Sequence, residues 1–149
     1  MNVMGIPRFE RFFRVVAGLD VDKADIKRFD EFVNQKLYDL LVRGEAVAKS
    51  NDRDIIQPQD LPITKGLQEC INDFKRIDEE IELQPILDEL TRRPPLDLDY
   101  SVETEAQFAR IVGGLGVAIV RSFKIIDPEL KNPMTEHWER SHQIFDLLL

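Results

Sequence analysis

The chain has 149 residues, 43% of them apolar and 32% charged, which is enough for one ordinary domain or two small interdependent ones and too apolar for a disordered chain. Its longest apolar run, Ile111 to Val120, is about half the ~20 residues of a membrane span, so no membrane role is expected. The net charge of -8 is uneven, with 13 Lys/Arg against 14 Asp/Glu in residues 1–78 and 7 against 14 in residues 79–149, so the second half should repel polyanions.

The first residues, Met-Asn-Val-Met-Gly-Ile-Pro, carry neither a basic nor an apolar segment ahead of a cleavage site, so no secretory signal is read and a cytoplasmic location is expected. Cys70, the single cysteine, excludes an intrachain disulfide and reads as a small buried apolar residue.

Pro7 opens a short amphipathic helix in which Phe9, Phe12, Phe13 and Val16 share one face. Leu19-Asp-Val-Asp22 follows, with Asp22 as N-cap of a long helix whose stripe runs through Ile26, Phe29, Val33, Leu37, Leu40, Gly44 and Val47. A proline loop, Gln57-Pro-Gln-Asp60, leads to a third helix from Leu61 to about Phe74, with Asp60 as its cap. Asp78, Glu79, Glu80 and Glu82 then read as a solvated connector.

The pattern returns. Pro85 opens a short segment with Ile86, Leu87 and Leu90, and Leu96-Asp-Leu-Asp99 repeats Leu19-Asp-Val-Asp22 at an offset of 77 residues. Either Ser101 or the box Thr104-Glu-Ala-Gln107 starts the second long helix, whose stripe is Phe108, Val112, Leu115, Ile119, Phe123 and Ile126. Asn132-Pro-Met-Thr135 places Thr135 as cap of a last helix with Trp138, Ser141, Phe145 and Leu148 on one face. The chain is thus all-α, short-long-short twice over, and each long helix needs a partner across a long seam.

Ala48-Lys49-x-x-x-Arg53-x-x-Ile56-x-x-x-Asp60 resembles the end of the central helix of archaeal-type histone folds. The two halves together resemble a bacterial family of single-chain histone-fold doublets, with residues 1–78 as the first motif and 79–149 as a divergent second. The resemblance implies two tandem histone folds packed as an intramolecular pseudo-dimer, one compact and monomeric domain, with Arg53 and Asp60 clamping the loop between them. Pro128 stands seven residues before Thr135, so the second half is expected to lack that clamp.

Gly113-Gly114-Leu115-Gly116 lacks GxGxxG spacing and follows no strand, so it reads as a close approach between the two central helices. His137 and His142 fall on different helix faces, and no nucleophile has a base at readable spacing. No catalytic, cofactor or metal site is expected, and the chain reads as a non-enzymatic assembly module with a protein partner. The alternative, a small architectural DNA binder, would use Arg8, Arg11, Lys23, Arg53 and Lys65 on phosphates, weakly, because acidic residues crowd both loops.

Overall fold

The structure is a computed structural model that describes residues 5–149. Residues 1–4 of the first repeat, with the opening of the segment read for a signal, lie outside the described residues.

Helix α1, Ile6–Ala17, buries Phe9, Phe12 and Phe13, and all three rings meet Phe29 edge-on at centroid distances of 5.5, 5.9 and 5.6 Å. It stops at Gly18, which takes a left-handed φ of 65° and donates its amide to the Arg14 carbonyl at 2.8 Å. Helix α2, Lys23–Ser50, starts from a reciprocal capping box in which the Asp25 amide donates to Asp22 Oδ1 (3.0 Å) and the Asp22 amide to Asp25 Oδ2 (3.1 Å).

Beyond α2 lie a two-residue strand β1, Ile55–Ile56, and a 3-10 turn, Pro58–Asp60. Helix α3 is Lys65–Ile81, not Leu61 to Phe74. Leu61 precedes Pro62 and is held extended at φ -74°, ψ 129°, so the helix waits for Thr64, whose hydroxyl accepts the Leu67 amide at 3.2 Å. Asp60 therefore does not cap α3. At the far end α3 runs through Asp78, Glu79 and Glu80, and Asp78 accepts the Leu83 amide at 2.6 Å, so the acidic run is mostly helix with a capping role.

Helix α4 is Gln84–Leu90, β2 is Asp99–Tyr100 and α5 is the single turn Val102–Glu105, which Ser101 caps through the Thr104 amide at 3.1 Å. The chain breaks helical form at Ala106–Gln107, and α6 spans only Phe108–Ile126. Just before the break the buried Thr104 hydroxyl donates to the Ile56 carbonyl at 2.9 Å, across the molecule. Helix α7 is Thr135–Leu148.

The expectation of a one-sided stripe holds for α2 and holds for α6 only toward its ends, where Arg110, Arg121 and Ile125 are exposed. In its middle Ile111 through Val117 are all buried, and α6 is packed by α1, α2, α3, α4 and α7. Its glycines make this possible. A Cβ on Gly113 or Gly114 would lie 2.4 Å from Phe74 or Ile71 of α3, and one on Gly116 would lie 2.6 Å from Phe29 of α2. The close approach is thus made chiefly to α3, and only at Gly116 to the other long helix. The buried residues of both halves belong to one apolar core.

The loops join the halves twice. β1 and β2 pair in parallel, Ile55 with Asp99 and Ile56 with Tyr100, which adds a short strand pair where only helix was expected. At the other end the Asp20 amide donates to the Lys131 carbonyl at 2.8 Å. The 77-residue offset carries Ile55–Ile56 to Asn132–Pro133 and Asp99–Tyr100 to Asp22–Lys23, so the second contact lies within two residues of the first one's counterpart.

Candidate functional site at the loop joints

In the first joint Asp60 is 2% exposed, and its carboxylate takes both terminal nitrogens of Arg53 together with the Gln57 amide at 2.8 Å. The Arg53 hydrogen bonds hold the Asp60 carboxyl below the usual carboxylate range, against the opposing effect of burial. The pair closes the turn from which β1 emerges. Glu45 and Lys49 of α2 extend the same joint, Glu45 Oε2 accepting the Leu98 amide at 2.9 Å and Lys49 reaching Asp97 at 3.3 Å.

The second joint has a closure of its own. Its helix is capped at Met134, extended at φ -105°, ψ 168°, and Thr135 is already the first helical residue. Thr135 is therefore not the cap; its hydroxyl accepts from Arg28 Nη2 at 2.8 Å. The Met134 amide donates to His137 Nδ1 at 3.0 Å, which places the ring proton on Nε2, 3.3 Å from Asp127 Oδ2. Lys124 Nζ donates to the Leu130 carbonyl at 2.5 Å. His137 stands at the 77-residue offset from Asp60, and Met134 at the same offset from Gln57. The second half has no arginine–aspartate pair at this loop, as expected, and a buried histidine with Asp127 beside it closes the turn instead.

Two further groups escaped the sequence reading. Trp138 Nε1 donates to the buried Asp25 carboxylate at 3.0 Å, and burial is the main reason the Asp25 carboxyl is raised above its ordinary range. Lys36, 1% exposed, lies in the seam between α2 and α7, paired with Asp146 and with Asp39 at 3.4 Å. Phe32, one turn before Lys36, meets Phe145 and His142 edge-on, and these spacings were the available signal.

The five residues proposed for phosphates are not assembled into one open basic face. Arg8 donates to the Glu82 carbonyl at 2.9 Å, Arg11 lies 3.8 Å from Glu80, Lys65 pairs with Glu69 at 2.9 Å, and Arg53 belongs to Asp60. Arg8 and Lys23 make no ion pair among the described residues, and Arg8 is held by the Glu82 carbonyl. A cleft of about 350 Å³ between α2 and α7, lined also by Phe32 and Trp138, includes Arg28, Glu31, Glu139 and His142 without a shared target. Among the described residues no three His, Cys, Asp or Glu side chains converge as a metal site, and no helix is long and apolar enough to cross a membrane. Cys70 is half-buried, not fully buried, and its burial raises the thiol further above neutrality, away from the reactive thiolate.

Fold and joints together define a mostly helical protein built around one apolar core. Residues 9–146 match a family described as a domain of unknown function, DUF1931, and the chain belongs to that family. It is similar to an uncharacterized protein of Aquifex aeolicus (strain VF5), 28% identical over 142 residues that span 95% of this chain and 82% of that one. A second uncharacterized protein of the same strain is 30% identical over 86% of this chain and 82% of its own length. Among solved structures, a crystal structure of a protein from Thermus thermophilus is 51% identical with a TM-score of 0.85 and covers 97% of each chain. A 1.9 Å crystal structure of an Aquifex aeolicus protein, 26% identical, also has a TM-score of 0.85 and covers 97% of this chain and 95% of that one.

Proposed function

We propose that this chain is a tandem pair of histone folds packed as an intramolecular pseudo-dimer, and that it acts as a non-enzymatic assembly module presenting helix faces to a protein partner. The observation that carries the reading is the reciprocal joining of the loops. The second loop of each half meets the first loop of the other, Ile55–Ile56 against Asp99–Tyr100 and Lys131 against Asp20. Such an exchange is what two like three-helix units make when each supplies the other's missing partner. The 77-residue offset relates the two contacts, so duplication accounts for both.

Charge argues for a protein partner over DNA. Four of the five basic candidates are already engaged by carboxylates or a carbonyl, and each phosphate contact forgone lowers the salt slope of DNA binding by roughly 0.9. The test is an anisotropy titration of labelled duplex DNA at low and at moderate salt. The expected result is weak binding that disappears at moderate salt. Nanomolar binding with a steep salt slope, abolished by Arg11→Glu with Lys65→Glu, would overturn the assembly reading in favour of an architectural DNA binder.

A further inference from the structure

We propose that the end of α7, from Ile144 onward, is a strap that opens while the rest of the fold stays closed, and that the buried Lys36–Asp146 pair is its catch. The movement is independent of which partner the chain takes, so it goes beyond the assembly reading.

The two ends of α7 are held differently. The earlier turns bury His137, Trp138 and Ser141. Trp138 packs edge-on against Phe123 at a centroid distance of 4.8 Å and donates to Asp25, and the Ser122 hydroxyl donates to that of Ser141 at 2.8 Å. After Ser141 no residue of α7 is fully buried, and Ile144 is 43% exposed, Leu148 70% and Leu147 85%. A segment that buries so little apolar surface opens at a fraction of the cost of global unfolding. Its fastenings to α2 are the edge-on contact of Phe145 with Phe32 at 5.4 Å and the bond from Lys36 to Asp146. On the other side the strap forms one wall of an apolar groove of about 490 Å³, where Phe145 and Leu148 stand with Leu67 and Cys70 of α3 and Ala118 and Ile125 of α6. A groove in place of a packed seam leaves the strap few contacts on that side.

The catch is unequal, and that makes it a gate. Lys36 is 1% exposed, and its ammonium is met by Asp146 of the strap and, at 3.4 Å, by Asp39 of its own helix. Asp146 is 56% exposed, with His142 at 3.7 Å as a second neighbour. Without Asp146 the buried ammonium keeps one carboxylate of its two and gains by reaching water, which requires the strap to lift. Without the ammonium, Asp146 is already hydrated and nothing drives the strap away. An ordinary structural ion pair would weaken the strap whichever partner is removed.

Cys70, the single cysteine, lies in the groove and reports the movement. The experiment follows the reaction of its thiol with dithiobis(nitrobenzoic acid) on the full chain, in buffer and in low urea, with folding checked by circular dichroism. Asp146→Ala is expected to speed labelling about tenfold, Lys36→Met less than about twofold, and the double variant should return close to the parent rate. Glu139→Ala, on an exposed position of the earlier turns, is the control and should leave the rate unchanged. Labelling should rise only weakly with urea, because the strap exposes little surface when it opens. In the parent chain the amides from Phe145 to Leu149 should exchange with solvent hydrogen as one unit. An Asp146→Ala rate equal to the parent's overturns the proposal, as does a Lys36→Met rate that matches Asp146→Ala. Labelling as steep in urea as global unfolding, or amide protection that fades residue by residue along the helix end, overturns it too.

Discussion

In the first half the buried group that accepts the Gln57 amide is the carboxylate of Asp60, and Arg53 neutralises it from the solvent side; 77 residues on, the buried acceptor is the imidazole of His137, and Asp127 is its outer partner. The acid is inside in one joint and outside in the other. What persists between the halves is the demand of the backbone, since the amide at the third residue before each acceptor must be satisfied where the chain turns. The side chain that meets it changed from an anion to a neutral ring, and the partner changed sign with it. The central helices diverge in a parallel way. α2 keeps a capped start and a polar outer side, while α6 gives up length and side-chain volume to pass through the middle of the core.

The sharpest break of that comparison is at the glycines. In Gly114→Ala the new methyl would lie 2.4 Å from Ile71 Cγ1 and 2.9 Å from the Ile71 backbone nitrogen, which cannot rotate away. A loss of about 3 kcal/mol is expected, at the upper end of overpacking costs. Gly44→Ala in α2 meets the flexible end of Leu61 at 2.9 Å and should cost less than half as much. Equal losses in urea denaturation would show that α6 is no more constrained than α2.

Next in size is the second joint. His137→Ala leaves the Met134 amide without its acceptor beneath a side chain that is 7% exposed, and should cost about 1 to 3 kcal/mol. His137→Asp keeps an acceptor for the amide and sets it against Asp127; adding Asp127→Arg copies the chemistry of the first joint. The double variant should melt above His137→Asp alone, with a coupling of about 0.5 kcal/mol or more. No coupling would mean that Asp127 and His137 do not act as a pair.

For the first joint, Arg53→Ala should lower Tm by about 5 °C near neutral pH for a chain of this size. Since Arg53 holds the Asp60 carboxyl below its ordinary value of 3.8, the stabilisation is present above that value and is lost as pH falls through the lowered one. The gap between parent and variant should therefore close as the solution becomes acidic. A gap of constant size down to pH 3 would count against the ion pair as its source.

Much of this was legible in the sequence, and the misreadings share a cause. Phe9, Phe12, Phe13 and the α2 stripe announced their faces because a helix with one buried side writes its period into the chain. The α6 stripe was readable only in part, because the run from Ile111 to Val117 is buried on every side and has no polar residue to set the phase. Asp60 looked like a helix cap because its residue type suits one, yet Pro62 and Thr64 were present to move the start of α3. Thr104 looked like a cap for the second long helix, and its role, donating to Ile56 across the molecule, depends on a contact 48 residues away that spacing cannot reveal. His137 stands 77 residues after Asp60, but a histidine and an aspartate share no residue type, so the sequence alone does not align the two joints. Leu148 was placed on the inner face of its helix and is mostly exposed, because the seam with α2 reaches along α7 only to Phe145 and Asp146.

The smallest expected effect separates the two caps. Asp22→Ala removes one arm of the capping box and leaves the Asp25 amide without its acceptor, so a loss of about 1 kcal/mol is expected. Thr135→Val removes an exposed bond from Arg28 and no cap, because Met134 and His137 already satisfy that helix start; its effect should stay within about 0.5 kcal/mol. Paired melting curves check this directly. If Thr135→Val costs as much as Asp22→Ala, the hydroxyl is capping α7 after all, and His137 would lose its standing as the second half's counterpart to Asp60.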